Sequence, residues 1–121
     1  MPHIITKPTI LICGSRSITA LNISQYIRPS SIGCVISGGA NGIDTIAERW
    51  AKKHKIEFVA YLANWKIFGK KAGFMRNKDM VDACDIVFAF WDGKSKGTLD
   101  SITYAYSIGR KCIVHLVQDL D

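Results

Sequence analysis

A doubly wound α/β fold, a Rossmann-like five-stranded parallel sheet with helices on both faces, is what this chain predicts. Three observations lead there. Short, continuously apolar runs recur along the sequence, as strands buried on both faces require. The stretches between them have helical length, with apolar residues returning every three or four positions. Glycine-bearing turns follow the strands and open helices, and that end of such a sheet is where ligands bind.

Thr9 to Cys13 reads as the first strand, and Ile18, Leu21 and Ile27 mark the inner face of a helix that Pro29 and Gly33 end. Cys34 to Ser37 is the second strand. Ile43, Ile46, Ala47, Trp50, Ala51 and His54 follow with the spacing of a helix buried on one side. Phe58 to Leu62 is the third strand, and the basic connection Ala63 to Gly73 leads from it to a helix over Phe74 to Cys84. Arg76, Met80 and Ala83 are expected on the inner face of that helix. Ile86 to Trp91 gives the fourth strand. Thr98 to Gly109 forms the last helix, with Leu99, Ile102, Ala105 and Tyr106 inward, and Cys112 to Val117 is the fifth strand.

Right-handed crossovers, with strands one to three on one side and four and five on the other, give the order 3-2-1-4-5. The crevice at the switch point, between strands one and four, then gathers four segments. These are Gly14-Ser15-Arg16-Ser17, the glycine loop after the second strand, Trp65 to Asn77, and Asp92 to Thr98.

At 121 residues with 48% hydrophobic content, residues 1–121 are expected to form one folded domain. No apolar run reaches membrane-spanning length, and Met1 to Lys7 lacks the apolar segment of a signal peptide, so a cytoplasmic location without a membrane partner is expected. Cys13, Cys34, Cys84 and Cys112 form no C-x-x-C pair, which fits buried free thiols. His3, His54 and His115 have no metal-ligand spacing, so neither a metal nor a cofactor is implied. Within the net charge of +6, Arg49, Lys52, Lys53, Lys55, Arg110 and Lys111 stand at helix ends where the dipole favours cations. Arg16, Lys66, Lys70, Lys71, Arg76, Lys94 and Lys96 instead crowd the loops that follow strands, and they call for an anionic ligand.

The sharpest motif is Ser37-Gly38-Gly39-Ala40-Asn41-Gly42-Ile43-Asp44, a strand breaking into a glycine loop that opens a helix. Such a loop serves either as a phosphate cradle or as a plain tight turn. A second loop, Asp92-Gly93-Lys94-Ser95-Lys96-Gly97-Thr98, opens the last helix, with Thr98 as its expected cap. Together they present two helix N-termini to one crevice, where Arg16 and Arg76 are placed to grip phosphate oxygens. Candidate ligand-binding residues are therefore Gly14, Ser15 and Arg16; Ser37, Gly38, Gly39, Asn41, Gly42 and Asp44; Arg76 and Asn77; and Asp92, Gly93, Ser95, Gly97 and Thr98. Asp44 suits ribose hydroxyls or helix-end complementation, and Asp44, Asp100 and Arg76 are the candidates for catalysis. Trp65, Phe68 and Phe74, beside Lys66 to Lys71, suit loop packing, base stacking or a subunit interface.

Four motifs in order, Gly14-Ser15-Arg16, Ser37 to Asp44, Ala72-Gly73-Phe74-Met75-Arg76-Asn77-Lys78-Asp79-Met80, and Trp91 to Thr98, make the chain resemble the SLOG superfamily of Rossmann-like proteins. The resemblance is strongest to its small YpsA/YspA-related branch, and it implies a ligand that is a nucleotide or derived from one. The superfamily's cytokinin-activating phosphoribohydrolases carry P-G-G-x-G-T-x-x-E with a catalytic glutamate. Here Gly97-Thr98 match that pattern, but Ser101 stands at the glutamate position. Asp100, one residue earlier, points about 100° away around the helix. The resemblance to DNA-processing protein A, also of this superfamily, implies single-stranded nucleic acid as an alternative partner. Taken together, the expectation is a nucleotide-binding homodimer or higher homo-oligomer acting as sensor or carrier. A nucleotide hydrolase is the first alternative and a single-strand nucleic-acid module the second, less favoured one.

Overall fold

The computed structural model describes residues 6–118; His3 and most of Met1 to Lys7 lie outside them. Five strands, β1 (Thr9–Gly14), β2 (Cys34–Ser37), β3 (Glu57–Ala60), β4 (Ile86–Trp91) and β5 (Lys111–Leu116), pair in parallel in the order β3-β2-β1-β4-β5. Alternation along β1 explains why the strand runs are apolar throughout. Ile10 and Ile12 face one side with Val35, Phe88 and Phe90, while Leu11 and Cys13 face the other with Ile36, Val87 and Ala89.

Helix α1 (Ile43–Lys53) covers the first face through Ile43, Ala47, Trp50 and Ala51. The opposite face is covered by α3 (Ala72–Ala83), through Met80 and Val81, and by α4 (Lys96–Ser107), through Ile102 and Ala105. A short helix, α2 (Trp65–Phe68), and a 3₁₀ turn (Gly69–Lys71) lie within the basic connection.

The helix expected after β1 is not there. Residues 15–33 run irregularly through two 3₁₀ turns, Ile23–Gln25 and Pro29–Ser31. Polar side chains offer the backbone other partners: Asn22 Oδ1 accepts from the Ser24 amide at 3.2 Å, and Ser31 Oγ donates to the Arg28 carbonyl at 2.7 Å. Of the expected inner positions Ile18 and Ile27 are buried on the α1 side and Leu21 is partly buried there, joined by Ile23 and Ile32, but on irregular backbone.

Two helices also differ in phase from expectation. In α4 the inner stripe is Thr98, Ser101, Ile102 and Ala105, while Leu99 and Tyr106 are exposed. In α3 Asn77, not Arg76, joins Met80 and Val81 inside; Arg76 is half-buried and Ala83 exposed. Small polar residues here take inner positions that a hydrophobicity count assigns to larger neighbours. His54 is the exposed C-cap of α1 rather than part of its buried stripe. Leu62, expected in the third strand, lies beyond β3 and is 75% exposed.

The phase of α4 makes two substitutions diverge. Leu99→Ser is expected to change unfolding free energy by less than about 0.5 kcal/mol, and Ile102→Ala to cost about 2–5 kcal/mol. Urea denaturation of both variants checks this, and equal losses would contradict the observed phase.

Candidate anion-binding site

The C-terminal ends of β1, β2 and β4 meet where backbone approaches backbone more closely than side chains permit. A Cβ on Gly14 would collide with the Phe90 carbonyl and stand 2.5 Å from Ile43 Cγ1. Gly42, with φ +75°, is left-handed, and a Cβ there would lie 2.7 Å from the Ser15 and Arg16 carbonyls. These contacts press the loop after β1 against the start of α1.

Beside them, Gly38 sits between two charged groups. A Cβ on it would lie 3.0 Å from Asp44 Oδ2 and 3.1 Å from Arg76 Nη1. Arg76 Nη1 donates to the Gly38 carbonyl at 2.9 Å, and its Nε is buried without a hydrogen-bond partner. Burial lowers the Arg76 pKa; Asp44 opposes that and Arg16 adds to it. Asp44, 9% exposed, accepts from the Ala40 amide at 3.0 Å. Burial raises its pKa, outweighing the Ala40 amide, the Ser37 hydroxyl, the Arg76 charge and the Gly38 amide, which favour the ionised form. Among the described residues Asp44 forms no ion pair within 4.0 Å with either arginine.

The loop after β4 is built around Asp92. Its Oδ1 accepts from the Lys94 and Ser95 amides, each at 2.8 Å, and its Oδ2 accepts from Ser17 Oγ at 2.7 Å. Its own amide donates to Ser15 Oγ at 3.0 Å. Those bonds hold the Asp92 carboxyl well below the usual carboxylate range. Gly93, with φ +82°, makes the turn. Ser95, not Thr98, caps α4: its Oγ accepts from the Thr98 amide at 3.4 Å and lies 3.1 Å from Thr98 Oγ1. Asn77 ties α3 to α4, its Nδ2 donating to the Gly97 carbonyl at 3.3 Å and to Asp100 Oδ2 at 3.1 Å.

A cavity of about 250 Å³ opens between these elements. Gly14, Arg16, Asp44, Arg76, Asn77, Ser95, Gly97 and Thr98 line it, so eight of the expected residues come together. The others stand outside its lining. Ser15 and Ser37 are fully buried, Gly38 supports Arg76, Gly39 and Asn41 are exposed, Gly42 starts α1, and Asp92 and Gly93 form the clamp turn. Asp100 is held by Asn77 away from the lining. Cys13, Ala40, Met80 and Ser101 line the cavity unforeseen. Ser101 was within reach of sequence reasoning, one helical turn beyond Thr98, and so was Met80, one turn beyond Arg76. A larger depression, about 460 Å³, lies at the opposite edge of the sheet beside Lys7, His54 and Lys55. Trp65, Phe68 and Phe74 are exposed and line neither.

A sequence profile of the YspA, cpYpsA-related SLOG family (YAcAr) matches residues 8–68. The chain belongs to that family. This SLOG chain is 40% identical over 81 residues to the Gene 61 protein of Mycobacterium phage D29; the match covers 62% of the chain and 65% of that relative. The fold is similar to that of DNA processing protein A from Streptococcus pneumoniae, with a TM-score of 0.74 and 19% identity over 94% of this chain and 52% of that one. DNA processing protein A from Helicobacter pylori, described for its single-stranded DNA binding mode, has a TM-score of 0.70 and 20% identity over 96% of this chain and 68% of its own. The chain thus spans less than two thirds of the phage relative and about half of the Streptococcus pneumoniae chain. Among the described residues no helix is long and apolar enough to cross a membrane, and no three His, Cys, Asp or Glu side chains gather as metal ligands would.

The burial of Asp44 has a pH signature. Because its folded pKa is raised, the native SLOG protein loses stability as pH climbs from the ordinary carboxylate value through the raised one. Asp44→Asn removes that loss, so the melting temperature of the variant minus that of the wild type should increase from acidic to neutral pH. A difference that stays flat or shrinks would contradict the burial.

Proposed function

We propose that this chain binds a nucleotide or nucleotide-derived phosphorylated small molecule in the cavity between the starts of α1 and α4. One observation carries the reading: Arg16 and Arg76 both line the cavity, and among the described residues neither forms an ion pair. A guanidinium offers several donors in a planar fork that matches phosphate, and the two helix starts add their positive dipole ends. At about 250 Å³ the space is smaller than a typical pocket for a whole drug-sized ligand, about 300–1,000 Å³. It suits one phosphate with its sugar, the rest of the ligand lying over the rim.

A second reading has its own support. Exposed Trp65, Phe68 and Phe74 stand among Lys66, Lys70 and Lys71, a combination that suits stacked bases and backbone phosphates of a single strand. The Helicobacter pylori fold neighbour is described as binding single-stranded DNA. For hydrolysis of a bound nucleotide, Asp44 is the one carboxylate in the cavity lining among the described residues.

Calorimetric titration with AMP, ADP-ribose and oligothymidylate separates these readings, with chromatography of the recovered ligand. AMP or ADP-ribose is expected to bind and return unchanged, and Arg16→Ala to weaken binding about 10-fold or more, the loss of a charged hydrogen bond. Silence toward every nucleotide by folded protein overturns the proposal. Oligothymidylate binding that falls steeply with salt and survives Arg16→Ala favours the second reading.

A further inference from the structure

Resting on the proposed phosphate-ligand reading, we propose that Asp44 accepts a sugar hydroxyl and that the cavity selects phosphorylated sugars over phosphate alone. Asp44 has protein donors of its own, but its charge beside an anion repels that anion unless the ligand also brings it a donor. Asp44 lines the same cavity as Arg16 and Arg76, yet forms an ion pair with neither among the described residues. It is held apart from them. The Ala40 amide fixes Oδ2, and Arg76 is turned onto the Gly38 carbonyl.

Both charges flank the bare Cα of Gly38, at 3.0 and 3.1 Å from where a Cβ would stand. The two groups are too far apart for a direct ion pair, though both line the one cavity. A phosphate taken up by Arg16 and Arg76 meets the charge of Asp44 close by, which weakens binding of a bare dianion. A ligand whose sugar carries a hydroxyl as well as the phosphate offsets that repulsion with a charge-assisted hydrogen bond to the carboxylate. From α4, Ser95 and Thr98 contribute neutral hydroxyls, and from β1 Cys13 contributes a thiol whose pKa burial raises. On the wall built by β1, α1, α3 and α4, Asp44 is therefore the charged acceptor.

The test uses the intact chain and three ligands: AMP, its 2′,3′-dideoxy counterpart and inorganic phosphate. AMP is expected to bind about 10- to 100-fold more tightly than the dideoxy compound, the range for a hydrogen bond to a charged group. In Asp44→Asn, affinity for inorganic phosphate is expected to rise while affinity for AMP falls. That opposite movement is one a purely structural role does not produce. Equal binding of AMP and dideoxy-AMP by native protein overturns this inference and leaves the phosphate-site reading standing. Losses of the same size for AMP and phosphate in Asp44→Asn overturn it too, by making Asp44 only a support for the loop. If none of the three binds, this inference fails, and the phosphate-site reading fails with it when ADP-ribose is silent as well.

Discussion

The missing side chain at Gly38 is the constraint on which the rest of the site depends. Arg76 comes from α3 and Asp44 from α1, on opposite faces of the sheet, and both crowd the bare Cα of Gly38, 3.0 and 3.1 Å from where a Cβ would stand. Their contacts with the loop differ in kind. Arg76 donates to the carbonyl of residue 38, whereas Asp44 accepts from the amide of residue 40, so one loop is held from both sides. A side chain at 38 would force both charged groups to shift by a few tenths of an ångström. Burial works against both charges, and the fold retains them where they oppose each other across a cavity.

Around that point the polar groups divide into two sets. Ser15, Ser17, Asp92 and Asn77 spend their hydrogen bonds inside the chain, joining the loop after β1 to the loop after β4 and α3 to α4. Their role is to fix the distance between two helix starts. Among the described residues Arg16 forms no ion pair and the buried Arg76 Nε has no hydrogen-bond partner, so these two cations keep donors to spare at the rim of the sheet. The basic connection containing α2 stands apart. Its aromatic rings are exposed and its lysines lie outside the cavity lining, so it offers a surface rather than a pocket.

Much of this was legible in the sequence, for physical reasons. Strands buried on both faces leave continuous apolar runs, so the strands were found to within two residues at either end, and the parallel order followed from handed crossovers. Glycines at 14, 38 and 42 are needed for close approach or a left-handed φ, and that need is visible as glycine. What escaped were features decided by tertiary contacts. Ile18 and Leu21 stand three apart as on a helix, but the buried isoleucines at 18, 23, 27 and 32 do not keep that spacing, Asn22, Ser24 and Pro29 favour turns, and packing alone buries the apolar side chains. Thr98 was given the cap that belongs to Ser95, although the spacing Ser95-x-x-Thr98 fits the start of a helix equally well. Asp92 makes the local turn its place before Gly93 allows, accepting from the Lys94 and Ser95 amides, whereas its bond from Ser17, 75 positions away in sequence, exists only once the strands are assembled.

Amide and guanidinium chemical shifts, followed by heteronuclear NMR while AMP is added, bear most directly on the claim that distant segments form one anion site. The account predicts that the backbone amides of Gly38, Ala40 and Gly97 and the Nε–H signals of Arg16 and Arg76 move together along one saturation curve. Movement confined to Trp65 through Lys71, or to Lys7, Ser30 and Lys55 at the opposite edge of the sheet, would contradict it.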